Sequence, residues 1–177
     1  MPLSSNPAVR LLRNLSLALA MLAPGLAAAE PSTIYLVRHG EKAATGQDPA
    51  LTEQGRLRAQ NVAAILHRTG IGAIFSTPTA RTLQTAQPLA RQLGLDVERY
   101  DPAAPQALVQ KVKALDGAVL VVGHSNTLPE LVRLFGGAPG RDIADDEYDR
   151  LYQLAPDRSG AVRTIVLTSL PTSRDQP

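Results

Sequence analysis

Short, uninterrupted apolar runs alternate along this chain with longer segments of helical periodicity, and that alternation constrains the fold more than any other feature. The clearest run is Ala118-Val119-Leu120-Val121-Val122. Thr33-Ile34-Tyr35-Leu36-Val37 and Ala73-Ile74-Phe75-Ser76 read the same way, and Leu95 to Tyr100 is a weaker third. Runs this short and this rich in β-branched residues read as buried strands. Between them the spacing predicts helices from Thr52, as N-cap, to Gly70, and from Thr77 to about Leu93 with Pro88 as a kink point. Two more follow, Pro105 to Leu115 and Thr127 to Phe135, the last stopped by Gly136-Gly137. Tyr152 to Leu154 and Thr164 to Ser169 read as a hairpin closing one edge. Strands alternating with helices of this length build a largely parallel, helix-covered sheet. The expected fold is α/β: a three-layer sandwich with a mostly parallel central sheet, helices on both faces and an antiparallel edge strand.

Residues 1–29 read as a signal peptide. Arg10 and Arg13 form a basic start, Leu15 to Leu22 an apolar stretch, and Ala27-Ala28-Ala29 a small-residue cleavage site before Glu30. The apolar stretch is shorter than the ~20 residues of a spanning helix, so no stable membrane insertion is expected after cleavage. The chain is expected to be exported, most simply to a bacterial periplasm, with residues 30–177 as one domain. Removing Arg10 and Arg13 brings the 18 Lys+Arg level with the 16 Asp+Glu, which leaves the mature protein formally neutral. No basic run with interleaved aromatics appears, so no nucleic-acid partner is expected. With no cysteine, disulfides and thiolate metal sites are excluded. Oligomeric state is left open.

Three of the runs end in residues that a buried strand has no use for. Arg38-His39-Gly40 follows the first, Arg81 lies five residues past the second, and His124 follows the strongest. Parallel strands put their C-terminal ends on one sheet edge, where ligands bind in open α/β folds. Two arginines and two of the chain's three histidines therefore converge on one pocket. Arginine forks match phosphate oxygens, so such a pocket suits a tetrahedral dianion. An imidazole beside two cations has its pKa lowered and stays neutral, as a nucleophile must. His67, near the end of a helix of ordinary pattern, reads as structural, and Asp145-Asp146-Glu147 as a solvated loop.

These motifs resemble the histidine phosphatase superfamily, in its phosphoglycerate mutase-like branch. The resemblance rests on Arg38-His39-Gly40-Glu41, Leu51-Thr52 with Gly55, Ser76-Thr77-Pro78 with Arg81-Thr82 and Thr85-Ala86, and Gly123-His124-Ser125-Asn126. It implies that His39 attacks phosphorus to form a phosphohistidine that water then hydrolyses. Arg38, Arg81 and His124 would hold the transferring phosphoryl group, with Asn126 adding a hydrogen bond. No metal or organic cofactor is implied, and the partner is a small phosphorylated substrate such as an envelope sugar phosphate. The leaving oxygen needs a proton, normally from a carboxylic acid. The acid phosphatase branch places that acid directly after the second histidine, where this chain has Ser125. The region that carries it in the mutase-like branch offers Glu98 and Asp101, with Asp101 preferred. Two alternatives to a phosphomonoesterase stay open: a phosphohistidine (phosphoramidate) phosphatase, and a non-catalytic phosphoryl-binding protein. A mutase fits an exported, short chain poorly. A serine hydrolase built on Ser125 is excluded, because that fold needs a histidine downstream and none follows His124.

Overall fold

The computed structural model describes residues 31–170. The signal-peptide reading lies outside the described residues. The elements are β1 (Thr33–Arg38), α1 (Glu53–Leu66), β2 (Ile71–Ser76), α2 (Ala80–Leu93) and β3 (Val97–Arg99). They continue with α3 (Pro105–Lys113), β4 (Ala118–Gly123), α4 (Leu128–Leu134), β5 (Arg150–Pro156) and β6 (Val162–Thr168). One six-stranded sheet runs β3-β2-β4-β1-β5-β6. β1, β2, β3 and β4 are parallel, and β5 pairs antiparallel with both β1 and β6. This is the α/β sandwich that the alternation predicts, with the hairpin at its edge.

Period-two alternation sorts each central strand between two cores. Ile34 and Leu36 of β1 and Val119 and Val121 of β4 pack with Leu108, Val112, Leu131 and Val132 from α3 and α4. Tyr35 and Val37, with Leu120 and Val122, face Val62, Leu66, Ala86 and Leu89 from α1 and α2. Both faces of β1 and β4 are thus covered, which is why these runs carry no polar residue inside the strand.

Element ends differ from the sequence reading in physically simple ways. β3 is only three residues long, because it is an edge strand hydrogen-bonded on one side alone. α2 starts at Ala80 rather than Thr77, since the Asp48 carboxylate accepts the Ala80 N–H at 2.9 Å and fixes the first turn there. Pro88 lies within α2, which runs on to Leu93. Thr52 does cap α1, accepting the Gly55 N–H at 3.1 Å. Gly40 and Gly55 meet backbone to backbone: a Cβ on Gly55 would lie 2.2 Å from the Glu41 carbonyl oxygen, and one on Gly40 2.7 Å from that of Gly55. Neither position has room for a side chain. Their contact sets how closely α1 approaches the turn after β1.

Candidate active site

The sheet register places the three important strand ends side by side. Arg38 pairs with Gly123 across β1 and β4, and Ser76 pairs with Val122 across β2 and β4. His39, His124 and Thr77 therefore leave the sheet at one height from three adjacent strands. The two imidazole centroids lie 5.3 Å apart in an edge-on arrangement. His39 is 3% exposed. Its backbone N–H donates to Gly123 O at 3.0 Å, which extends the parallel pairing by one residue and holds His39 against β4.

Hydrogen bonds fix which ring nitrogen of His39 is available. Nδ1 lies 2.7 Å from the Gly40 carbonyl oxygen. A carbonyl only accepts, so Nδ1 carries the proton and Nε2 keeps its lone pair. The Gly40 N–H in turn donates to Thr85 Oγ1 at 2.9 Å, and that hydroxyl donates to Arg81 O at 2.8 Å. Thr85 thus ties the turn after β1 to the first turn of α2. On the other side, His124 Nε2 lies 2.9 Å from Thr77 Oγ1. Thr82 gives its hydroxyl proton to the carbonyls of Thr77 and Thr79 and accepts from Thr77, so the hydrogen bond to Thr77 falls to His124 Nε2–H.

Each of the two arginines is anchored through one terminal nitrogen. Arg38 Nη1 donates to the carbonyls of Ala144 and Glu147, both at 2.8 Å. Arg81 Nη1 lies 3.5 Å from Asp48 Oδ1. The Nε–H groups of both arginines are buried without a hydrogen-bond partner among the described residues. Two orphaned cationic donors in one place is an arrangement that an anion relieves.

Burial, first, and then the charges of Arg38, His124 and Arg81 push the His39 pKa down to about 3, against the Gly40 hydrogen bond. Burial likewise leads for His124, with Arg81 and Arg38 adding, and takes it to about 4. The sequence reading credited the cations alone; desolvation contributes more. Both rings are therefore neutral near pH 7. The unfolded chain binds protons at these histidines below pH ~6.5 while the folded one does not. Stability then falls as pH drops through the window from about 6.5 towards 4. Urea unfolding at pH 7 and pH 5 is expected to differ by on the order of 3 kcal/mol, and His39→Gln to shrink that difference. Equal stability at the two pH values would overturn this assignment.

Other sequence-singled residues sit elsewhere. Asn126 is exposed in the turn before α4, with no side-chain hydrogen bond among the described residues. Asp101 is exposed and its carboxylate accepts the Ala103 N–H at 2.9 Å, while Glu98 pairs with Lys111. Both belong to β3 and its exit, three strand spacings from β1, or roughly 14 Å at the usual interstrand distance. His67 bonds Ala64 O on its own helix. The acidic run is only partly solvated: Glu147 pairs with Arg150 at 2.6 Å and with Arg141 at 2.9 Å. Burial raises the Glu147 pKa, but those arginines outweigh it and the net shift is downward.

Two residues escaped the sequence reading. Arg58 is fully buried and grips Glu41 twice, Nε to Oε2 at 2.9 Å and Nη2 to Oε1 at 2.5 Å. Its position was legible, three residues after Gly55 and four before Val62 on the buried stripe of α1. Tyr148 lays its ring 4.0 Å under the Arg38 guanidinium and 6.0 Å from His39. An aromatic residue inside an acidic loop, in a chain with 3% aromatics, was its only signal. Among the described residues no group of three or more His, Cys, Asp or Glu side chains is arranged to hold a metal ion, and no helix is long and apolar enough to cross a membrane.

Residues 34–102 match the family model of the histidine phosphatase superfamily (branch 1). A curated relative from Cronobacter sakazakii, "Probable phosphoglycerate mutase GpmB", is 36% identical over 104 residues, 55% of this chain and 44% of the relative. The chain thus spans less than half the length of that relative. A mycobacterial glucosyl-3-phosphoglycerate phosphatase structure is similar over 78% of this chain and 98% of its own, with 14% identity and a TM-score of 0.55. The candidate phosphohistidine phosphatase SixA from Agrobacterium tumefaciens is similar over 78% and 97%, with 23% identity and a TM-score of 0.56. At these identities the structural likeness speaks to the fold. The family match begins inside β1 and takes in Arg38, His39 and Arg81, and the fold likeness extends over more than three-quarters of the chain: residues 34–102 are similar to the histidine phosphatase superfamily (branch 1), and the chain shares the fold of these solved structures.

Proposed function

We propose that this protein is a phosphomonoester hydrolase working through a phosphohistidine on His39. The observation that carries the reading is the pairing of a neutral, Nδ1-protonated His39 with two buried, unpartnered Nε–H donors on Arg38 and Arg81. Nε2 attacks phosphorus as the ester P–O bond breaks, and the leaving oxygen departs with its electron pair. The two guanidiniums offset the charge on the equatorial oxygens, and His124, whose Nε2–H is held by Thr77, joins them by taking a proton on Nδ1 as the dianion binds. Water then cleaves the P–N bond to give inorganic phosphate and regenerate the imidazole. The relatives' names support a small phosphorylated substrate, with an envelope sugar phosphate as one instance. Export to the periplasm belongs to the same proposal; intact-mass analysis of separated periplasmic and cytoplasmic fractions would sink it by finding the uncleaved chain in the cytoplasm alone.

A second reading has its own observation. The Asp101 and Glu98 carboxylates spend their hydrogen bonds on Ala103 N–H and Lys111, at the β3 edge of the sheet with β2 and β4 between them and β1. A site without a proton donor favours leaving groups that need none, such as phenolates, or phosphoramidates protonated by solvent. The test is turnover of an aryl phosphate, a phosphoramidate and an alkyl sugar phosphate, without added metal, by the chain from Glu30 on and by His39→Ala. Turnover of all three that His39→Ala abolishes supports the esterase. Turnover of the activated pair alone moves the function to phosphoramidates. Phosphate binding with no turnover of any supports a binding protein.

A further inference from the structure

The site assigns one residue a role that neither the motifs nor the reaction requires. Arg38 has two hydrogen-bonding edges, and the 144–148 turn consumes one of them. Both Nη1 protons go to Ala144 O and Glu147 O, and the Tyr148 ring covers a face of the guanidinium at 4.0 Å. What is left is the edge made by Nη2 and the unpartnered Nε–H, which is the fork that matches two phosphoryl oxygens. The same turn therefore decides in which direction that fork points. Burial pulls the Arg38 pKa down, opposed by Tyr148, Asp145, Glu147 and Glu41, so the turn also supplies the field that keeps the cation in place.

A loop residue can do this only if the loop is rigid. Here both ends are tied. Before Tyr148, Glu147 holds Arg150 through both carboxylate oxygens, at 2.6 and 2.9 Å, and Arg150 reaches Arg141 O and Tyr152 Oη. After it, Asp149 O accepts the Ser169 N–H at 2.8 Å. Arg58 Nη1 bonds Ser169 at 3.1 Å, and Arg58 grips Glu41, two residues past His39. The circuit closes on itself, from Arg38 along the chain to Glu41, through Arg58, Ser169 and Asp149, and back by Tyr148 to Arg38.

We propose that Tyr148 is the positioning residue of Arg38, its ring fixing the Nε–Nη2 edge towards the phosphoryl group. The inference rests on the phosphoryl-transfer reading, but its test does not need turnover. Arginine Nε–H resonances of the purified full chain are recorded with and without inorganic phosphate, for the native protein, Tyr148→Phe and Tyr148→Leu. Phosphate is expected to shift the Arg38 Nε–H in the native protein and in Tyr148→Phe, which keeps the ring. In Tyr148→Leu the affinity for phosphate is expected to drop about 10-fold, the scale of one cation–π contact, and kcat to drop more than KM rises. Unchanged phosphate affinity in Tyr148→Leu overturns the proposal, and so does an equal loss in Tyr148→Phe. If phosphate shifts Arg38 in this ring-dependent way but no substrate turns over, the positioning role stands and the hydrolase reading falls. Should Tyr148→Leu fail to fold, Tyr148→Met carries the same comparison.

Discussion

His39→Gln is expected to lower kcat/KM on an aryl phosphate by about 10⁴-fold or more, the scale seen when a covalent nucleophile is removed. The loss should fall on kcat, because the residues assigned to hold the phosphoryl group remain. Glutamine also removes a buried ring that resists protonation at acid pH. The variant should therefore be at least as stable as the native protein at pH 5, which separates lost chemistry from lost fold. Residual turnover within 10-fold of native would move the nucleophile elsewhere. His124 is the other imidazole at the sheet edge, and His124→Gln on the His39→Gln background would then identify it.

Arg58→Met is expected to cost about 3–5 kcal/mol of stability, since it takes both guanidinium contacts from the Glu41 carboxylate in a buried site. That is a large share of the roughly 5–15 kcal/mol that holds a domain together. The cost arises from a buried carboxylate that has lost its guanidinium, so Glu41→Leu combined with Arg58→Met should recover most of it. Urea titrations of the two single variants and the double variant measure this directly. A double variant as unstable as the sum of the singles would mean that the pair is not the coupled unit its 2.5 and 2.9 Å contacts describe. Activity should follow a different order. The double variant regains stability without regaining the link to Ser169, so it should remain catalytically weaker than the native protein.

What the sequence disclosed and what it hid divide along contact distance. Ala118–Val122 and Thr33–Val37 announce themselves because a strand buried on both faces leaves a local, unbroken apolar run. Their ends then bring Arg38, His39 and His124 together by topology alone, since parallel strands share an edge. Arg81 followed from the same logic one strand over. The 141–150 turn had no such signal. Its role depends on carbonyls meeting a guanidinium 106 and 109 residues away, and carbonyls have no sequence identity. Glu147 therefore read as one more solvated acid. Arg58 lies on the buried stripe by spacing but carries no sequence signal of its own, because arginine rarely enters a core without a partner and Glu41 lies 17 residues upstream. Asp101 and Glu98 were candidates by region, and the sheet order explains their separation: β3 is an edge strand with β2 and β4 between it and β1.

A phosphoryl group carried by the imidazole of His39 is detected most directly by rapid-quench mass spectrometry of the intact protein. The protein is mixed with an aryl phosphate at neutral pH and quenched in base, where a phosphohistidine survives, with a parallel quench in acid, where it does not. One added phosphoryl mass is expected in the base quench, mapped to His39, lost in the acid quench and missing in His39→Gln. Turnover with no such adduct, or an acid-stable adduct on another residue, would contradict a phosphohistidine on His39.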